Sequence, residues 1–115
     1  MTTLKTYLDQ LNREPQTISF ETTISVIDNN YNFTPGEFKN GSLINAINQN
    51  NGSCKIFAFA QLHKLNEAQT LHCFGDYYRK DVLENPDADD HQNIRNFMNS
   101  GWQGIAFSST ILTPL

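Results

Sequence analysis

The chain has 115 residues, with 8 Lys plus Arg against 12 Asp plus Glu and a formal net charge of −4. That length fits one domain over residues 1–115, large enough to bury a core without metal or disulfide support. The cations are scattered from Lys5 to Arg95 without a basic patch, and no apolar run reaches membrane-spanning length, so nucleic acid and membrane are both disfavoured as partners.

Residues 1–5 lack the apolar stretch and small-residue cleavage site of a secretory signal, which makes a bacterial or other cellular cytoplasm the expected compartment. A Ser/Thr-rich N-terminus read by a dedicated export system would leave no stronger trace. Cys54 and Cys73 are therefore expected to be thiols.

Leu4, Tyr7, Leu8 and Leu11 fall on one helix face, with Thr2 or Thr3 as cap and Pro15 beyond, and predict a helix over residues 3–12. Phe20, Ile24, Ile27 and Tyr31 repeat that spacing and predict a second helix ending at Asp28-Asn29-Asn30. Residues 31–41, with Phe33 and Phe38 about Thr34-Pro35-Gly36, read as an ordered loop with room for a short strand. Leu43, Ile44 and Ile47 suggest a short helix over 42–48, which Gln49-Asn50-Asn51-Gly52 cannot easily continue.

From Cys54 to His63, apolar side chains cover nearly every side of a helix, as expected of a buried central element. Asn66 with Gln69 forms a capping-box pattern, and Leu71, Phe74, Tyr78 and Val82 then predict the longest helix, stopped by Pro86. Ile94, Phe97 and Met98 predict a fifth helix over 90–99, with Gly101 suited to the left-handed residue beyond it. Trp102 and the mixed residues after it suggest a small β-hairpin or strand pair. The expected fold is α+β, mainly α: a compact bundle of about five helices around a buried central helix, with a little sheet.

Several segments occurring in order carry a resemblance. They are residues 31–35 (Tyr-Asn-Phe-Thr-Pro), 38–41 (Phe-Lys-Asn-Gly), 49–60 (Gln-Asn-Asn-Gly-Ser-Cys-Lys-Ile-Phe-Ala-Phe-Ala), 73–79 (Cys-Phe-Gly-Asp-Tyr-Tyr-Arg) and 91–98 (His-Gln-Asn-Ile-Arg-Asn-Phe-Met). Together they resemble the HopJ type III effector family through most of the chain. Asn48 stands where that pattern has a glycine before the Gln-Asn pair. The resemblance implies a small bacterial protein delivered by a type III secretion system, and it brings no established reaction with it.

Cys54 is the leading chemical candidate, because a thiolate is stabilised by the unpaired N–H groups of a helix start. Gln49 upstream resembles the oxyanion-hole glutamine of papain-like enzymes, and His91 with Asn93 would supply a base and its orienting partner. On that reading the protein is a Cys-dependent hydrolase or acyl transferase. The bland alternative makes Cys54 a small buried core residue with Gly52 serving a backbone turn.

Asn40, Asn45, Lys55, Tyr78, Arg79 and Arg95 are candidates for a polar binding cleft, against a scaffold role for the same side chains. No metal site is expected: Cys54 and His63 are nine apart, and His72 and Cys73 point to different helix faces. Asp87-Ala88-Asp89-Asp90 lacks the glycine and the bidentate glutamate of a calcium loop, since Gln92 and Met98 stand there. No cofactor is implied. The functional expectation is a protein that binds a host or bacterial protein, with the enzyme and a cytoplasmic housekeeping or ligand-binding domain as alternatives.

Overall fold

A computed structural model describes residues 2–115, an α+β arrangement of helices with short antiparallel strands. Helix α1 (Leu4–Arg13) is opened by a reciprocal cap in which the Thr3 and Thr6 hydroxyls accept from each other's backbone N–H, and it buries Tyr7 and Leu11. Pro15 disfavours helical geometry in the residue before it, and a single 3-10 turn (Pro15–Thr17) follows. Helix α2 (Phe20–Asn30) starts at Ser19, whose hydroxyl accepts from Thr22 N–H, and buries Thr23, Val26 and Ile27. Phe20, Ile24 and Tyr31 lie against the core at its edge.

The segment read as an ordered loop supplies two strands, β1 (Tyr31–Phe33) and β2 (Phe38–Asn40). A two-residue turn at Gly41-Ser42, with Gly41 at φ +62°, folds β2 back onto β3 (Leu43–Asn45). The short helix expected over 42–48 is therefore a strand and a turn. Pairing with β2 decides the matter, because three apolar residues suit either element.

Helix α3 (Asn51–Leu62) buries Cys54 and all five residues from Ile56 to Ala60, and packs on α2, α4 and β5. The long helix expected after Asn66 is broken. Its capping box does form and starts α4 (Glu67–His72), but Gly75 at φ +62° ends the regular run. A Cβ on Gly75 would lie 2.6 Å from the Phe20 backbone nitrogen, so only glycine lets this turn pass under the start of α2. A π-helix (Tyr77–Val82) follows, seen in the Leu83 N–H bond to the Tyr78 carbonyl five residues back.

Helix α5 (Gln92–Ser100) buries Asn93, Ile94 and Phe97 and ends at Gly101, whose φ is +60°. After a 3-10 turn (Gly101–Gly104) come β4 (Ile105–Phe107) and β5 (Leu112–Pro114). These do not pair with each other as a hairpin would. Strand β4 joins β2 in a three-stranded sheet of order β3-β2-β4, while β5 pairs with β1 in a separate two-stranded ribbon. The core is aromatic: Phe57 contacts Phe38, Phe74, Phe97 and Trp102 at centroid separations of 5.0–6.4 Å.

Candidate functional site

The starts of two helices line one cleft of about 410 Å³. Asn50 precedes α3 and His91 precedes α5. Both residues sit in the left-handed backbone region (φ 54° and 51°), and neither side chain caps its helix. One wall of the cleft is aromatic, with Phe20 against Tyr77 at 5.0 Å and Tyr77 against His91 at 5.2 Å between ring centroids. The rest of the lining includes Asn50, Gly52 and Ser53 of the α3 start and Gln92 and Asn93 of α5. A Cβ at position 52 would stand 3.1 Å from the edge of the Phe20 ring, so glycine there keeps that end of the cleft open.

The floor behind this cleft is an amide cluster. Asn45 and Asn93 exchange hydrogen bonds through both side-chain amides, at 3.1 and 3.0 Å. Asn40 Nδ2 donates to the backbone carbonyl of Asn93 at 2.7 Å and to its Oδ1 at 3.0 Å, and Asn50 Nδ2 donates to Asn45 Oδ1 at 2.7 Å. Asn40, Asn45 and Asn93 are buried, and the Asn40 Oδ1 has no partner among the described residues. Three candidates that the sequence assigned to binding or catalysis are thus brought together, as a network joining β2, β3 and α5 beneath the cleft. Buried amides bonded to one another in this way fix the relative positions of the elements that carry them.

Cys54 does not meet the requirements placed on it. The helix starts three residues before it, and its own N–H already bonds to the Asn50 carbonyl at 3.0 Å, so Cys54 closes the first turn rather than opening the helix. The side chain is 1 % exposed and turns away from the cleft that Ser53 lines, its Sγ 4.0 Å from the Gly36 carbonyl. Burial raises its pKa, against a lowering by the Gly36 contact, which is the opposite of an activated thiol. Cys73 is likewise a free, buried thiol, its pKa pushed up to about 12 by burial.

His91 bonds through Nε2 to Asp81 Oδ2 at 3.0 Å, across the start of α5 to the π-helix, rather than to the sulfur. Gln49 uses its Oε1 to accept from Ala46 N–H at 3.1 Å, closing the turn before α3. Lys55 pairs with Asp28 at 2.8 Å and lies 5.0 Å over the Phe33 ring. Tyr78 stands edge-on to His72 at 5.5 Å. Arg79 is a clamp: its guanidinium donates to the carbonyls of Pro15 and His72, both at 3.3 Å, and to that of Ile18. Arg95 donates to the carbonyls of Asn85 and Asp90 and pairs with the Asp90 carboxylate at 2.7 Å, holding the 85–90 loop to α5. The Arg95 bond is the largest cause holding the Asp90 carboxyl below its ordinary pKa.

Of the ten sequence candidates, His91 and Asn93 reach the cleft wall. Phe20, Asn50, Ser53, Tyr77 and Asp81, which shape the cleft or its histidine, are not among the ten. The signal available for Asn50 was the run of residues unsuited to a helix interior, which marks a helix start but not what that start faces. Among the described residues no group of three or more His, Cys, Asp or Glu is placed to hold a metal ion, and no helix is long and apolar enough to cross a membrane.

Comparison with other proteins agrees with the resemblance carried by the sequence segments. No curated protein matches the chain. A solved crystal structure described as an unknown function protein, VPA0580, is 54 % identical, superimposes with a TM-score of 0.97, and shares 100 % of this chain and 95 % of its own. The profile of the HopJ type III effector protein family matches residues 4–112. The chain belongs to that family.

Proposed function

We propose that this chain is an effector-type protein that acts by binding a protein partner, in a host cell after type III delivery, and that the cleft before α3 and α5 receives part of that partner. The observation that carries this reading is the cleft itself: a formed recess with one aromatic wall, over a hydrogen-bonded amide floor, with the thiol outside it. A rigid recess costs little to organise on binding, which is where affinity is usually lost. The Cys-dependent hydrolase is the reading this geometry supports least, since it lacks both a thiolate environment and an imidazole bonded to the sulfur.

A photo-crosslinking residue at position 92, on the exposed cleft rim, tests the proposal in the producing bacterium and in host cells. One dominant adduct is expected, whose purified component binds this chain and binds Ser53→Phe at least tenfold more weakly. A component bound equally by both proteins refutes the cleft as the site. Delivery is tested separately by fusing the chain to a translocation reporter in a strain with an active type III apparatus. A reporter retained in the bacterium removes the effector role and favours the ligand-binding domain, to which a cleft of about 410 Å³ is also suited.

A further inference from the structure

The charge along this chain is uneven. Five of its acidic residues, Asp81, Glu84, Asp87, Asp89 and Asp90, fall within ten positions, and beyond Lys80 the one Lys or Arg is Arg95. Residues 83–90 are all exposed, and they border a groove of about 290 Å³ lined by Val82, Leu83, Pro86, Arg95, Met98 and Asn99. Leu83 and Met98 are 47 % and 44 % exposed although Val82 beneath them is buried.

The single cation in this groove is already used. The Arg95 side chain is 12 % exposed, is paired with Asp90, and donates to the carbonyls of Asn85, Pro86 and Asp90. Its methylene stem is left as groove wall while its charge is neutralised. The same bonds hold the acidic loop in place beside α5. The result is an apolar slot, large enough for one or two big aliphatic or aromatic side chains, under a rim with a surplus of negative charge.

We infer that this groove docks a basic amphipathic segment of a partner protein, its apolar side chains against Leu83 and Met98 and its Lys or Arg side chains over Glu84, Asp87 and Asp89. The deciding argument is charge complementarity. A second copy of this chain would bring like charge to like, since the chain carries a net −4 and its rim is acidic. Anionic lipid and nucleic acid are repelled by the same field. A helix presenting apolar residues at i, i+3, i+4 and i+7 between basic flanks matches both features, and the flexible Met98 side chain adapts to the shape of what enters. This inference names the partner's chemistry and rests on the protein-binding reading, but not on the cleft.

The probe is a fluorescein-labelled 16-residue amphipathic peptide with leucines on one face and lysines on its flanks, compared with the same peptide carrying glutamates in place of the lysines. Binding to the full chain is followed by anisotropy at low and moderate salt, and located by amide chemical-shift changes. The lysine peptide is expected to bind at least tenfold better than the glutamate peptide, to weaken with salt, and to shift residues 82–99. Met98→Asp and the double variant Asp87→Lys/Asp89→Lys should each weaken it at least tenfold. Ile47→Asp, at an exposed apolar residue outside the groove, should leave it within twofold. Equal binding of both peptides, indifference to the groove variants, or equal loss in Ile47→Asp overturns the inference. Loss in Ser53→Phe with retention in Met98→Asp moves the docking site to the cleft, which overturns the groove while leaving the protein-binding reading intact.

Discussion

Removing Asn45 strands a buried donor, and the cost can be worked from the hydrogen bonds. In Asn45→Ala, Asn93 Oδ1 keeps its bond from Asn40, but Asn93 Nδ2 loses its partner; Asn50 is exposed and can turn to water. One stranded buried amide costs about 1–3 kcal/mol, and the lost packing brings the total to about 2–4 kcal/mol. Asn93→Ala similarly leaves Asn45 Nδ2 with only a long contact of 3.5 Å to the Phe38 carbonyl, at about 2 kcal/mol. The double variant strands neither amide, so its cost should fall short of the sum by about 1–2 kcal/mol. Urea denaturation of the four proteins gives the cycle, and each kcal/mol corresponds to about 4 °C in Tm for a chain of this length. Asn45→Asp sharpens the argument, because a carboxylate oxygen would then face Asn93 Oδ1 and the Phe38 carbonyl, two acceptors. Its folded pKa must rise above the ordinary value near 4, so the stability of that variant is greatest in acid and is lost as pH rises through the folded pKa. Single losses under about 0.5 kcal/mol, or strict additivity, would show that the cluster is hydrated and carries no structural load.

Further expectations concern the other buried groups. Neither Cys54 nor Cys73 should react with iodoacetamide in the native protein at pH 8, because burial raises both pKa values; both should label on unfolding, and native labelling of Cys54 with a thiolate-like pH profile would restore the catalytic reading. Arg79→Ala should cost about 2–4 kcal/mol, since the carbonyls of Pro15, Ile18 and His72 lose one shared donor, and Arg79→Lys should recover little because an ammonium cannot span all three. A loss under about 0.5 kcal/mol in denaturant would mean water replaces the guanidinium freely. His63 and His72 both have pKa values lowered from 6.5, chiefly by burial, so the unfolded chain takes up their protons first. Stability should be full above about pH 6.5 and fall as pH drops toward the folded values, with a shallower decline in His72→Asn; a flat profile between pH 7 and 5 would contradict this.

Helices whose apolar spacing was unbroken and whose caps were adjacent were legible: α1, α2 and α5 sit close to where the pattern put them. The failures share a cause in partners far away in sequence. Leu43 and Ile44 became strand because β2 lies beside them, and β4 and β5 separated because their partners, Phe38–Asn40 and Tyr31–Phe33, belong to two different sheets. The stripe of Leu71, Phe74, Tyr78 and Val82 concealed a break. A π-helix keeps a buried residue such as Val82 inward while changing what lies between, and the need for Gly75 arises from the backbone of Phe20, which no local pattern records.

The candidate site shows the same division between residue type and placement. Asn93 is proposed in the sequence as an orienting partner for His91, and Asn40 and Asn45 as cleft residues; the structure instead bonds the three amides to one another and leaves Asn40 Oδ1 without a partner among the described residues. Cys54 was noticed for its nearness to a helix start, yet a shift of three residues in that start moves a side chain from the open end of the first turn into the core. Ser53, one position earlier, faces the cleft in its place. Reading chemistry from a helix boundary therefore requires the boundary to be known more finely than spacing allows. The pairing of His91 with Asp81 is harder still, since the two are joined only by the course of an exposed acidic loop that Arg95 holds down. That loop, whose Asp87-Ala88-Asp89-Asp90 the sequence offers only as a failed calcium loop, is what sets both the histidine wall of the cleft and the charged rim of the groove.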